Sequence, residues 1–387
     1  MNSKQFETAK MCLKVVTPIN IADGIVLGAK DYLYDSRRQK VYFLNLHQWH
    51  MFIYKHMLLE KYESYLANFR DKQSLLEWLR MQGYDIDDVR TVITSEAQAT
   101  VNLMDSERKK TLNDISRHIQ QPDGSLYVPG SSIKGVFRTA ILYSLLQKRQ
   151  DIKVKYWRQI QEKISSNYFK PYRDFSKLIS DLENELLHTL RLLDGNIRSN
   201  NAVCSAMRGL QVSDTYASRN MQTAILQKVD GGFDKFGKAS PKKLPIFREC
   251  MLPKAELFFD VKIEKAVMNT IAINSVDDLL KATHSFFAAV TDLLQQAFGK
   301  EYQEAFQGVA AGNMFLGGNT GFLSKTLLAM LAPDKDTAKN TIKVLLDKSF
   351  KNHKHLLRDK IIAPRTLKCT NYNGKLMLMG VAEVRKV

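Results

Sequence analysis

The sequence predicts an α+β protein of two ferredoxin-like (RRM-like) units with helical insertions, the first over residues 1–205 and the second over 206–387. Three observations carry this expectation. Alternating strand-like runs with hairpin turns occur near both ends of the chain, and helical periodicity fills much of the stretch between them. A glycine turn leading into an apolar helical run occurs once in each half. At 387 residues the chain exceeds the roughly 250 to 300 at which a single core stops growing, so two units are the natural division.

In chain order, Met11, Leu13 and Val15 fall on one face of a first strand, and DYLYDSRRQKVYFLNL pairs two aromatic-rich runs around a polar turn. From His47 to about Met81 the spacing of apolar residues changes to three and four, which predicts a helical insertion. GYDIDD opens a short acidic passage, after which LYVPGSSIKGVFRTAILYSLL reads as strand, turn and helix. Helical patterns continue through KYWRQIQEKI to LISDLENELLHTLRLL. GLQVSDTYASRNMQ begins a second extended region, and the basic GGFDKFGKASPKKLPIFR reads as a loop or hairpin tip before the strand-like ECMLPKAELFFDVKIEKA. DDLLKATHSFFAAVTDLLQQAF is the clearest amphipathic helix, and GNMFLGGNTGFLSKTLLAML repeats the turn-then-helix design. The C-terminal TLKCTNYNGKLMLMGVAEV forms a hairpin across Asn373-Gly374, a pair suited to a tight turn with two positive φ angles.

Charge narrows the function classes. Lysine and arginine number 57 against 40 aspartates and glutamates, a formal charge of +17. Such a surplus favours a polyanionic partner, nucleic acid above all, because each neutralised phosphate releases condensed counterions. A surplus that serves solubility alone is the alternative. No apolar run approaches the roughly 20 residues of a membrane span, and the N-terminus lacks the zones of a signal peptide, so a cytoplasmic protein is expected. Cys12, Cys204, Cys250 and Cys369 lie without a CxxC pair, which predicts packed thiols and no zinc knuckle.

The first glycine motif poses an electrostatic problem. Ser131 or Ser132 is placed to cap the helix of GSSIKGVFRTAIL, but the capping-box position holds Lys134 or Gly135 in place of Glu or Gln. Lys134 and Arg138, one turn apart, add positive charge beside the positive end of the helix dipole. An external anion would reverse that cost. With Gly130 and Gly135 admitting a close approach, the motif reads as a phosphate seat or, more simply, as an exposed helix start. It is not a Walker A loop, because Lys134 precedes Gly135; in the second motif Lys325 stands well beyond Gly321. An ATPase or GTPase is therefore not expected. Gly317, Gly318 and Gly321, followed by Ser324 and Lys325, reproduce the grammar of the first motif.

Other stretches carry weaker signals. Lys235, Lys238, Lys242 and Lys243 are interleaved with Phe233 and Phe236, the mixture used to attract a single-stranded backbone and stack its bases, and equally a composition found in solvated loops. The aromatic residues of DYLYDSRRQKVYFLNL could stack on bases but suit a core better. His47, His50 and His56 have no carboxylate or cysteine at ligand spacing, so no metal and no cofactor is expected. His47, His118 and His188 are available for proton transfer, yet nothing local marks them as catalytic.

VPGSSIKGVFRTAIL closely resembles the signature of the RAMP proteins of CRISPR effector complexes, and GGNTGFLSKTLLAML is similar to a second glycine-rich signature of that group. With VVTPINIADG and the hairpin DYLYD, the pattern looks most like a RAMP subunit of the type III-A Csm complex, over a span from about Val15 to Lys325. The resemblance implies tandem RRM-like folds that bind the guide RNA (crRNA) towards its 3′ end, cap a strand of stacked RAMP subunits and support maturation of the guide intermediate. It implies crRNA and the other Csm-type subunits as partners, with host nucleases as a further class, and no nuclease site in this chain. The alternative is a RAMP endoribonuclease that trims the guide itself. Carried over by position, RNA contact falls on Gly130, Ser131, Ser132, Lys134, Gly135, Arg138, Gly317, Gly318, Gly321 and Lys325. Asp23 and Asp31 remain unassigned. On this reading, replacing Lys134 and Arg138 by alanine weakens RNA binding without lowering the melting temperature.

Overall fold

Met11, Leu13 and Val15 are buried on β1 (Phe6–Val15), the middle strand of a six-stranded sheet. The structure is a computed structural model and describes residues 5–68, 73–100, 112, 114–166, 168–191, 200–217 and 221–387. β2 (Ala22–Leu27), β3 (Tyr32–Asp35) and β4 (Lys40–Leu44) lead into the helical insertion, α1 (Leu46–Lys55), α2 (Leu59–Ala67) and α3 (Leu75–Met81). β5 (Ile93–Thr100) and β6 (Ile115–His118) precede α4 (Gly130–Lys148), α5 (Gln150–Ser165) and α6 (Pro171–Leu187). Then come β7 (Leu210–Val212), β8 (Tyr216–Ala217), β9 (Thr223–Gly231), β10 (Lys242–Met251) and β11 (Glu256–Glu264). α7 (Val276–Phe298), β12 (Met314–Phe315), α8 (Lys335–Ser349), β13 (Leu367–Tyr372), β14 (Lys375–Leu378) and β15 (Val381–Lys386) complete the longer elements. Of the second extended region, residues 218–220 lie outside the described residues.

The architecture is the expected α+β one, with two sheets. The first has the order β12-β15-β1-β11-β7, with β8 also on β11; the second runs β2-β6-β10-β9-β5-β4-β3. The β13–β14 hairpin joins β9 beyond the end of β5. β6 pairs β10, and β5 pairs β9, in parallel, while every other ladder is antiparallel. Both sheets draw strands from each side of the 205/206 division: β1 pairs with β11 and β15, and β6 with β10. That division is therefore not the division between the sheets.

The period-two pattern explains the main core. Leu257, Leu13 and Val384 are cross-strand neighbours on one face, and with Phe259, Val261 and Ile263 they pack among Ile133, Phe137 and Ile141 of α4 and Val290 of α7. Fully burying each such side chain contributes about 1.5 to 3 kcal/mol. The insertion has its own cluster around Trp49, Ile53, Leu75 and Trp78, and it reaches Tyr42 and Leu33 of the β3–β4 hairpin. Tyr32, Tyr34 and Phe43 are buried as well, so these hairpin aromatics serve packing. α7 begins conventionally: Ser275 Oγ accepts the Asp278 N–H at 3.1 Å, with Asp277 and Asp278 in the first turn. Asn373 and Gly374 take φ of 50° and 75°, the turn that their identities predict.

Gly380 ties the C-terminal strand to the second glycine loop. Its N–H donates to the Pro18 carbonyl at 2.9 Å, its own carbonyl accepts the Leu316 N–H at 2.7 Å, and its φ is +82°. A Cβ there would collide with the Thr320 side chain and the Leu316 carbonyl. Gly380→Ala is expected to lower unfolding free energy by about 1 to 3 kcal/mol, read from a lower denaturant midpoint at unchanged slope.

Candidate nucleic-acid interface

The helix start that looks electrostatically unbalanced in sequence is balanced within the chain. Pro129, not a serine, is the N-cap of α4; its carbonyl accepts Ser132 N–H at 2.9 Å, and neither serine makes a capping bond. Gly130 donates its N–H to Asp214 Oδ1 at 2.7 Å, so a carboxylate from the β7–β8 connection takes the place expected for an external anion. Gly130 is needed there because a Cβ would collide with the Val212 and Ser213 carbonyls. Lys134 is half-buried and its ammonium donates to the Leu210 carbonyl at 2.6 Å, with burial lowering its pKa. Arg138 meets Glu183 at 3.4 Å on the exposed side. Ser131 remains exposed, and the space beside Gly135 is open. Because Lys134 links α4 to β7, its loss is expected to lower the melting temperature, a change from the sequence expectation.

The second motif differs in form and in balance. Leu323–Lys325 is a single 3-10 turn followed by a one-turn helix, Leu328–Leu331, so the sequence pattern overstates the helix. Gly317 and Gly321 have φ of +87° and +92°, and a Cβ on Gly317 would strike the Asn20 carbonyl. That carbonyl accepts the Gly318 N–H at 2.7 Å. Asn20 is fully buried; its Oδ1 accepts Arg248 Nη1 at 2.9 Å, and its Nδ2 donates to the Glu249 carbonyl at 2.8 Å. The loop is thus fastened to Arg248 through one amide.

Around this loop cations outnumber anions. Register places Arg248 opposite Leu226, Thr370 opposite Lys228 and Lys368 opposite Asp230, so the four polar side chains Arg248, Lys228, Lys368 and Asp230 share a face of the second sheet. Lys368 reaches Asp230 at 2.9 Å and Lys228 reaches it at 3.7 Å. The Lys368 stem also passes 3.5 Å from where a Gly321 Cβ would stand. Burial, reinforced by the Arg248 cation, lowers the pKa of Lys325, whose ammonium has no anionic partner among the described residues. Burial, then the Lys368 cation, lowers that of Lys228. Four cations and one carboxylate leave an excess of three positive charges where solvent screens poorly, an arrangement that a phosphate relieves. Arg248 Nε is also buried without a hydrogen-bond partner.

The open face of the first sheet makes the contrast. Lys10 lies opposite Asp260 and Lys14 opposite Glu256 and Glu383, while Lys262, Arg385 and Glu264 occupy the same face. Four cations there meet four anions, and aromatic Tyr216 and Phe258 sit under Lys10. This is a solvated, self-neutralised face.

The basic tip is a β9–β10 hairpin end in which Asp234 Oδ1 accepts the N–H groups of Phe236 and Lys238. Lys242 and Lys243 already belong to β10, opposite Asp230 and Val229. Phe233 stacks on Phe298 at 5.4 Å and belongs to the core, whereas Phe236, 75% exposed beneath Lys235, is free to meet a base. His118 is buried and neutral, its pKa pushed down to about 4 by burial: Nδ1 accepts the Ile21 N–H, so Nε2–H donates to the Tyr127 carbonyl. Both ring nitrogens are thereby committed to backbone. His56 Nδ1 bonds the Tyr84 hydroxyl at 2.8 Å. Asp23 and Asp31 accept backbone N–H groups in their own turns, both at 2.7 Å. All four cysteines are buried, and no group of metal-ligating side chains occurs among the described residues. Nor does any helix among them have the length and apolarity to cross a membrane.

Sequence reasoning missed Asn20, Lys228, Arg248 and Lys368. The signal for the three cations is a charge at an inward-alternating position of an otherwise apolar strand, as in IFREC, AILQKVDG and TLKCT, whereas Asn20, outside the strands, has no such local signal.

Comparison with known proteins bears on the family and the fold. The RAMP superfamily model matches residues 12–321. A curated Mycobacterium tuberculosis protein (strain CDC 1551 / Oshkosh) named CRISPR system Cms protein Csm5 is 26% identical, over 98% of this chain and 97% of its own. A chain from the cryo-EM structure of a Csm–crRNA–target RNA ternary complex of a type III-A CRISPR-Cas system superposes with a TM-score of 0.64 at 19% identity, covering 98% of this chain and 100% of that one. The crystal structure of T. onnurineus Csm5 superposes with a TM-score of 0.60 at 20% identity, covering 96% and 99%.

Asn20→Ala removes a buried amide and leaves the Glu249 carbonyl and Arg248 without it. The expected cost is about 1 to 3 kcal/mol of unfolding free energy by denaturant titration, with a larger proportional loss of RNA affinity than Lys134→Ala causes.

Proposed function

The chain belongs to the RAMP superfamily, and we propose that it is a non-catalytic crRNA-binding subunit of a type III-A Csm interference complex. In this reading it sits on the 3′ side of the guide in a prokaryotic cytoplasm, beside other Csm-type subunits, and supports maturation of the guide intermediate in antiviral defence. One observation carries the reading: the excess of positive charge, half-buried and short of carboxylates, at the Gly317–Gly321 loop. Phosphate contacts of this kind grip a backbone without reading its sequence. The name of the Mycobacterium tuberculosis relative, and the crRNA in the ternary complex that contains a similar chain, support the choice of guide RNA and Csm assembly.

The test is binding of fluorescent single-stranded RNA to the purified chain across a salt series, with intact RNA length followed on a gel in the same samples. Affinity is expected to fall steeply with salt. Lys325→Ala and Lys228→Ala are each expected to reduce the log–log slope by about 0.7, one phosphate contact each. Salt-independent binding, or none, overturns the reading; specific cleavage by the purified chain favours a guide-trimming ribonuclease instead.

Binding also carries a pH signature. A bound phosphate favours charged Lys325, so affinity is full below the lowered lysine pKa and declines as pH rises through it, before the ordinary lysine value of 10.5 is reached. This decline is expected to flatten in Lys325→Ala, measured by the same titration.

A further inference from the structure

A groove of about 390 Å³ separates α6 from the segment that follows Gly321, within the range of about 300 to 1,000 Å³ typical of small-ligand sites. Phe175 and Phe322 provide aromatic walls, Thr139 and Ser180 provide hydroxyls, and Glu183 and Lys325 line it as well. Lys325 belongs also to the cation cluster around the glycine loop, so the groove opens beside the place proposed for a phosphate. We infer that this groove takes one unstacked nucleobase of the bound RNA, and that Glu183 selects bases carrying an exocyclic amine. The inference rests on the RNA-binding reading of the glycine loop.

Three features on the page support it. Phe322 and Lys325 line the same groove, so an aromatic side chain and the lysine proposed to meet a phosphate share one cavity. The Thr139 hydroxyl donates to the Gly135 carbonyl at 3.1 Å, which leaves its lone pairs to accept. Glu183 meets Arg138 at 3.4 Å and otherwise offers an acceptor-only carboxylate. Such a carboxylate pairs with the amine of cytosine or adenine and repels the carbonyl that uracil presents at the same edge.

The experiment uses the full chain with oligocytidylate, oligouridylate and a ribose-phosphate oligomer without bases, all of one length, so that binding register does not matter. Oligocytidylate is expected to bind about tenfold more tightly than oligouridylate. Glu183→Ala should bring the two within about twofold of each other, whatever its effect on overall affinity. Phe322→Ala should weaken both base-bearing oligomers about tenfold towards the abasic one, whose own affinity stays unchanged. Should Phe322→Ala impair folding, Glu183→Ala alone decides the matter through the cytidine-to-uridine ratio. Equal binding of all three oligomers, or a ratio that survives Glu183→Ala, overturns the inference while the phosphate reading stands. Failure of every oligomer to bind overturns the phosphate reading itself.

Discussion

One buried amide holds the candidate site together. Asn20 has no exposed surface, and its side chain and carbonyl make four connections: to the β10 backbone at Glu249, to the Arg117 carbonyl on β6, to the guanidinium of Arg248, and to the Gly318 N–H. Each is a bond from a buried group, so losing any one leaves a polar atom without water to replace the partner. The constraint explains Gly317, which must pass its backbone against the Asn20 carbonyl with no side chain between them. It also explains why a stretch far from the glycine loop in sequence belongs to the same local structure.

Adjacent residues of β10 show how one strand serves two purposes. Glu249 points to the opposite face from Arg248, where Arg117, the His118 N–H and Thr223 satisfy it, and Arg117 in turn lies 4.0 Å from the centre of the Phe43 ring. That buried charge is fully answered within the chain. Arg248 has an amide for a partner and lysines for neighbours. The distinction between an answered charge and an unbalanced one is thus one of local charge count, and it also separates the glycine-loop face from the evenly charged face of the first sheet.

Much of the fold was legible because it depends on local periodicity. The alternation of Met11, Leu13 and Val15, the aromatic hairpin, the insertion from His47 to Met81 and the Asn373-Gly374 turn all lie where pattern and turn chemistry place them. Strand order was not legible, because β1 finds β11 and β15 across more than 240 residues, and no local rule encodes such a pairing. In the candidate site, Gly317, Gly318, Gly321 and Lys325 are named through the resemblance of their motif to a RAMP signature, whereas Lys228, Arg248 and Lys368 converge only through register. At α4 the dipole and the two cations call for an anion, and the one that answers, Asp214, comes from a distant loop.

The division of β9 has a consequence for when the site exists. Its free edge is shared between β5 near its start and β13 near its end, so Lys368 enters the cluster only when the β13–β14 hairpin has docked. β1 likewise gains its second neighbour only from β15, the final strand. A chain still emerging from the ribosome therefore carries the glycine loop before it carries the last cation around it. The charge excess around the glycine loop is therefore a property of the closed sheet, one that the Gly317–Gly321 segment does not carry by itself.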